Sequence, residues 1–162
     1  MTSCNDEYYM RRALALAGHA AKLGEVPVGA LVVIDEKIVA EGWNQPVGTH
    51  DPTAHAEIIA MRGAAKAVAN YRLVNSTLYV TVEPCSMCAG ALIHARIGRL
   101  VYGCTEPKSG VVESNGCLLA AEYVNHHVDF QGGVLADQCS SIMSDFFKMR
   151  RLAKKATHHG LS

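Results

Sequence analysis

Thr81-Val82-Glu83-Pro84-Cys85-Ser86-Met87-Cys88-Ala89-Gly90-Ala91 decides how the chain is read. The apolar run over 77–82 that leads into it predicts a buried strand, and Glu83-Pro84 carries that strand straight into a helix reaching about residue 95. Pro84 fits the first helical position, because its missing N–H is one of the orphan donors there. Cysteines three apart on a helix share a face, so Cys85 and Cys88 can aim both sulfurs at one point. That point lies off a helix N-terminus, where free N–H groups favour the thiolate. Two thiolates so placed are half of a zinc site.

The rest of the site has to come from another part of the chain. Asp51-Pro52-Thr53-Ala54-His55-Ala56-Glu57 also reads as a helix start, with Thr53 as N-cap and the apolar positions Ile58, Ile59, Met61, Ala65 and Val68 behind it. Two helix tips meeting at one ion would supply His55, Cys85 and Cys88. A fourth ligand would make the site structural, whereas a catalytic site keeps one position for water. His50, His94 and Cys104 are the rivals for that place. No second Cys-x-x-Cys and no His-x-x-x-His completes a finger, so the expectation is an open site with three protein ligands. Zn²⁺ with two thiolates and a neutral imidazole has no net charge, and acidifies its water less than an all-histidine site does. A nearby carboxylate is then needed as a base. Glu57, two residues from His55, need not face the metal and can lie beside the water. The plainer reading of Glu57 is a first-turn carboxylate that complements the helix dipole.

Working outward, 162 residues with 49% hydrophobic content predict one folded domain over 1–156, with 157–162 as a disordered tail. Formal net charge is zero and the pI about 7.1, so global charge gives no argument for nucleic acid. Residues 1–12 hold no apolar run, and the longest apolar stretches are strand-sized, so neither a signal peptide nor a membrane span is expected. Six cysteines without a secretory signal read as reduced thiols and metal ligands of a cytoplasmic protein. Cys4, Cys104, Cys117 and Cys139 have no role in this reading.

The spacing predicts a helix over 6–23, capped by Ser3 or Asn5, with Tyr9, Ala13, Leu16, Ala20 and Leu23 as its buried stripe and Gly24 as its stop. A hairpin of 28–34 and 37–43 follows, then a loop over 44–52 leading to the His55 helix. Strands at 77–82, 99–103 and 127–130, a turn-rich loop at 106–115, a helical piece at 118–121 and a last helix over about 135–155 complete the chain. Strands alternating with helices imply an α/β fold, a three-layer α/β/α sandwich around a mixed sheet of about five strands.

His-x-Glu upstream of Pro-Cys-x-x-Cys is the known signature of the zinc deaminases of nucleobases. The chain resembles the bacterial tRNA-specific adenosine deaminases of the cytidine-deaminase-like superfamily. The resemblance covers roughly 6–151 and is carried by 24–30, Asn44-Gln45, 50–57, 83–91 and Asp145-Phe146-Phe147-Lys148-Met149-Arg150-Arg151. It implies zinc-dependent hydrolytic deamination of adenosine to inosine at the wobble position of a tRNA anticodon. Zinc on His55, Cys85 and Cys88 would activate the hydroxide that attacks C6, with Glu57 as proton shuttle. Asn44 would hydrogen-bond the base, Val28 would pack on its face, the backbone N–H groups of Ala56 and Cys85 would bind its edge or the developing negative charge, and Pro84 is a further substrate-binding candidate. The resemblance also implies a homodimer. The family usually carries an aspartate near Glu106, and the longer carboxylate here departs from that pattern at the contact with the nucleotide backbone.

Zero net charge hides an asymmetry near the C-terminus. No acidic residue follows Asp145, while Lys148, Arg150, Arg151, Lys154 and Lys155 crowd one helix that could track phosphates. Phe146 or Phe147 could stack on a splayed base, the other being core. Lys108 is a further candidate for RNA contact, and Arg96 and Arg99 are weaker ones. Two other readings compete: a free-base guanine or cytosine deaminase, and a non-catalytic zinc-stabilised RNA-binding module.

Overall fold

The computed structural model describes residues 4–160. Helix α1 (Cys4–Lys22) is followed by strands β1 (Gly29–Ile34) and β2 (Lys37–Trp43), a short helix α2 (Pro46–Thr49) and helix α3 (Ala56–Val68). Strand β3 (Ser76–Val82), helix α4 (Ser86–His94), strand β4 (Arg99–Cys104), a 3₁₀ turn (Leu118–Ala120), strand β5 (Asp129–Gln131) and helix α5 (Ala136–Gly160) complete it. The five strands form one mixed sheet in the order β2-β1-β3-β4-β5. β1 is antiparallel to both neighbours, and β3, β4 and β5 run parallel.

Two glycines show which helix covers which face. A Cβ on Gly29 would lie 2.0 Å from the Ala13 carbonyl oxygen of α1, and one on Gly42 would lie 2.4 Å from the Ala56 carbonyl oxygen of α3. Gly42 pairs with Ala30, the neighbour of Gly29, so the two glycines point to opposite faces. Helices α1 and α5 pack together on one side, α3 and α4 on the other, which gives the expected three layers. The core runs through both interfaces, from Met10 and Leu16 through Leu31, Val80 and Val101 to Ala60 and Leu92.

The close approach at Gly29 sets a stability prediction. Gly29→Ala leaves the new methyl nowhere to go against backbone, and should lower unfolding free energy by about 3 kcal/mol in a urea titration. Gly18→Ala, in α1 with no atom within 4 Å of its Cβ, should instead raise it by about 0.5–1 kcal/mol.

Several local expectations need correction. Asn5 lies inside α1 and does not cap it, and Ser3 lies outside the described residues. Leu23 is exposed because α1 has already ended in a Schellman motif: the Glu25 N–H bonds the Ala20 carbonyl and the Gly24 N–H that of Ala21, with Gly24 at φ +79°. The loop over 44–52 contains α2. β5 begins two residues later than the spacing predicts. Helix α5 continues through 157–160, where a disordered tail is predicted, and residues 161–162 lie outside the described ones. Good helix formers at 153–156 carry it, and the Thr157 hydroxyl bonds the Ala153 carbonyl at 3.0 Å.

Candidate active site

The parallel strands β3 and β4 end beside the first turns of α3 and α4, the usual position of a site in such sheets. The helix starts differ in detail from those the spacing predicts. Asp51 Oδ1 accepts both the N–H and the hydroxyl of Thr53, at 2.8 and 2.7 Å, which ties Thr53 into a turn. His55 then becomes the N-cap of α3, in extended conformation. In α4 the N-cap is Cys85, so Pro84 precedes the helix rather than opening it. A residue before proline favours extended backbone, and the Glu83 N–H duly continues the sheet by bonding the Cys104 carbonyl at 2.9 Å. As N-caps, His55 and Cys85 hold their side chains off the helix tips, and Cys88 joins them from the first turn.

The three donors come together. His55 Nδ1 lies 3.7 Å from Cys85 Sγ and 3.6 Å from Cys88 Sγ, and all three ligand atoms are within 4.8 Å of one another. A tetrahedral zinc with ordinary bonds to sulfur and imidazole sets a sulfur–nitrogen separation of about 3.6 Å, so the set fits that ion. No fourth His, Cys, Asp or Glu joins the group among the described residues. His50 is exposed at the C-cap of α2, His94 is exposed at the end of α4, and Cys104 is buried in β4 outside the group. Hydrogen bonding from Cys88, with further help from His55, outweighs burial and brings the Cys85 thiol down to about 3. The same bond, with burial, pushes Cys88 up, so one thiol shelters the other's thiolate. Burial pushes Cys104 to about 11 and Cys139 to about 12, which keeps both as unreactive thiols.

Glu57 is 4% exposed and lines the same cavity as His55 and Cys85, a space of about 130 Å³. Burial raises its carboxyl pKa, against the opposing pull of His55. Val28 and Asn44 also line the cavity, together with Val26, Val82 and Met143, which are not among the site candidates named from the sequence. Asn44 Oδ1 accepts the Ala56 N–H at 2.9 Å. Since an N–H only donates, the amide oxygen must face it, and Nδ2 is the atom left for a ligand. The Ala56 N–H is therefore not free for a base edge, and neither Ala56 nor Pro84 lines the cavity.

Beyond the cavity the predicted RNA-facing residues divide. Glu106 lines it, and its Oε1 accepts the Lys108 N–H at 3.0 Å, with the Lys108 side chain exposed. Lys148, Arg150 and Arg151 are exposed on α5, Phe147 is 38% exposed and Phe146 half-buried. Neither phenylalanine is core, because α5 packs on the core through its first turns, at Cys139 and Met143, behind Leu135. The two rings meet edge-on and the Arg150 guanidinium lies over Phe146 at 5.6 Å. Arg99 is removed from the RNA candidates: it bonds both oxygens of buried Asp6, at 2.8 and 2.9 Å.

Two buried acids escaped sequence reasoning. Glu83 and Glu25 look like helix-flanking charges, yet each carboxylate is filled by backbone N–H groups far along the chain. Glu25 accepts those of Val47 and Gly48, at 3.0 and 2.7 Å, and so pins α2 beside Asn44. Burial works against ionising Glu83, but the Ser114 hydroxyl and the N–H groups of Glu113, Ser114 and Glu106 bring it down to about 2.

Comparison with known proteins agrees with this geometry. The MafB19-like deaminase family matches residues 4–151. A tRNA-specific adenosine deaminase of Haemophilus influenzae is 53% identical over 151 residues, 93% of this chain and 87% of the relative. One of Bacillus subtilis is 41% identical over 97% of this chain and 98% of its own. A solved structure concerned with A-to-I editing by tRNA:A34 deaminases at the wobble position of transfer RNA superposes with a TM-score of 0.81 at 40% identity, over 83% of this chain and 98% of that one. A guanine deaminase from Bacillus subtilis superposes over 61% of this chain with a TM-score of 0.59. On the family match and on relatives of this identity and coverage, the chain belongs to the deaminase family that includes the bacterial tRNA-specific adenosine deaminases.

Proposed function

We propose that this chain hydrolyses adenosine to inosine at the wobble position of a tRNA anticodon. The observation that carries the reading is the meeting of the His55, Cys85 and Cys88 donors at a cavity that His55 and Cys85 line together with buried Glu57. Zinc bound by these three residues supplies the Lewis acidity that turns water into a nucleophile at neutral pH. Glu57 would take the proton released by the water and pass it to N1 of the ring, and then carry the second proton, from the new C6 hydroxyl, to the amino group that leaves as ammonia. Its raised pKa suits a group that has to act as base and then as acid. Val26, Val28 and Val82 supply apolar walls for the base, and Asn44 Nδ2 donates to an acceptor on the purine edge. Fixing the amide through the Ala56 N–H costs nothing at the moment of reaction, since it is already oriented.

The RNA lies outside the cavity in this reading. Lys108 and, on α5, Lys148, Arg150 and Arg151 attract its phosphates, Phe147 offers a stacking face, and Glu106 meets the nucleotide from the cavity wall it lines. A homodimer is supported by a mostly apolar hollow at α3 and α4, lined by Ile58, Met61, Ala65, Tyr71 and Ala91, with Arg62 and His94 also in its wall. No helix among the described residues is long and apolar enough to cross a membrane, and a tRNA substrate fits a cytoplasmic protein.

An anticodon stem-loop RNA with adenosine at the wobble position, assayed beside adenosine, adenine, guanine and cytosine, tests the proposal. The RNA alone should give inosine, with one ammonia per inosine. Turnover of only a free base would identify a guanine or cytosine deaminase instead. Tight RNA binding with no turnover would identify a non-catalytic zinc-stabilised RNA-binding module.

A further inference from the structure

Glu83 sits where β3 ends, 3% exposed, and its two oxygens are the centre of a loop. Oε1 accepts the Glu106 N–H at 2.9 Å and the Ser114 hydroxyl. Oε2 accepts the N–H groups of Val112, Glu113 and Ser114 at 3.0, 2.8 and 2.9 Å. A carboxylate has about four lone-pair sites, so these five bonds saturate it and leave nothing for a ligand in the cavity it borders. The stretch over 105–114 has no helix or strand to satisfy its backbone, and the acid supplies what a sheet partner would otherwise supply. Gly110 completes the fit: a Cβ there would lie 2.3 Å from the Glu83 Cδ and 2.4 Å from Oε1.

The loop wrapped on this acid brings Glu106 and Ser109 to the cavity wall and holds Lys108 outside it. Glu25 holds α2 in a similar way, through the N–H groups of Val47 and Gly48. We propose that Glu83 is a positioning residue for substrate: it folds the 105–114 loop into the surface that grips RNA beside the cavity, and so sets affinity for the polynucleotide rather than the rate of the chemical step. The inference rests on the tRNA deaminase reading for what the loop grips, and on the hydrogen bonds alone for how the loop is held.

Glu83→Gln keeps the shape but turns one acceptor oxygen into a donor facing at least two donors. It should raise KM for the anticodon stem-loop about ten- to a hundredfold, with kcat within about threefold and one zinc per chain retained. Amide hydrogen exchange at Glu106, Val112, Glu113 and Ser114 should accelerate in the variant while that of β3 stays slow. Gly110→Ala should reproduce the same KM-against-kcat split. The double variant should be no worse than the worse single one, since both act through one contact. A fall in kcat at unchanged KM would overturn the proposal, as would unchanged exchange at those four amides. Loss of zinc or of the fold in Glu83→Gln would also overturn it, because Glu83 would then hold the domain and not the loop. If the wild-type chain fails to deaminate the stem-loop, the tRNA reading falls, while the exchange measurement still decides whether Glu83 holds the loop.

Discussion

Glu57→Ala is expected to lower kcat on the anticodon stem-loop by about a hundred- to ten-thousandfold, with zinc content and RNA affinity unchanged. Glu57 makes no ion pair with Lys or Arg among the described residues, and alanine is the best helix former, so α3 tolerates the change. What disappears is the one buried carboxylate that lines the cavity with His55 and Cys85 and has oxygens not saturated by backbone N–H groups. Glu57→Gln separates shape from proton transfer. It fills the same space and cannot accept a proton from water at neutral pH, so its loss should match that of alanine. Single-turnover rates for both variants, measured beside metal content, check this. A rate within tenfold of wild type in either variant would remove Glu57 from the proton path.

The second large effect concerns the metal. Cys88→Ala deletes one of three donors at a position with no exposure, where water cannot readily replace it. Losing even an outer partner of a metal ligand weakens binding about ten- to a hundredfold, so losing a ligand should cost more than that. Activity should vanish with the zinc, and a chelator should do the same to the wild-type chain, reversibly on adding one equivalent back. The fold should survive both treatments. Leu31, Leu78, Val80, Leu100 and Val101 form a core in the middle of the sheet that does not depend on the site at its edge. Circular dichroism before and after chelation checks that. Collapse of the secondary structure on chelation would instead mark a structural zinc, as in small finger domains.

How much of this was legible in the sequence depended on whether the signal was local. Period and composition were enough for the strands at 29–34 and 76–82, because buried strands of a layered sheet read as continuous apolar runs. His55, Cys85 and Cys88 were legible because ligand spacing near helix starts is a local property. The caps were not. Thr53 has the right chemistry for α3, but Asp51 captures its N–H and hydroxyl and moves the helix start to Ala56. Glu83 and Glu25 were invisible for a related reason: their partners are backbone N–H groups 22 to 31 residues away, which no side-chain pattern announces. The assignment of one Phe of the 146–147 pair to the core failed because helical period cannot say where a helix leaves the body it packs on. An asparagine offers a ligand both a donor and an acceptor, but the Ala56 N–H already occupies the Asn44 oxygen, which no local pattern foretells.

The central claim is that three protein donors, and no fourth, hold one catalytic zinc beside Glu57. X-ray absorption at the zinc edge of the protein loaded with one equivalent tests it most directly. The account predicts two sulfurs and one imidazole nitrogen from the chain, with Cys88→Ala losing the metal and His50→Ala leaving the spectrum unchanged. A third sulfur in the shell, a second imidazole lost in His50→Ala, or failure to bind zinc stoichiometrically would contradict it.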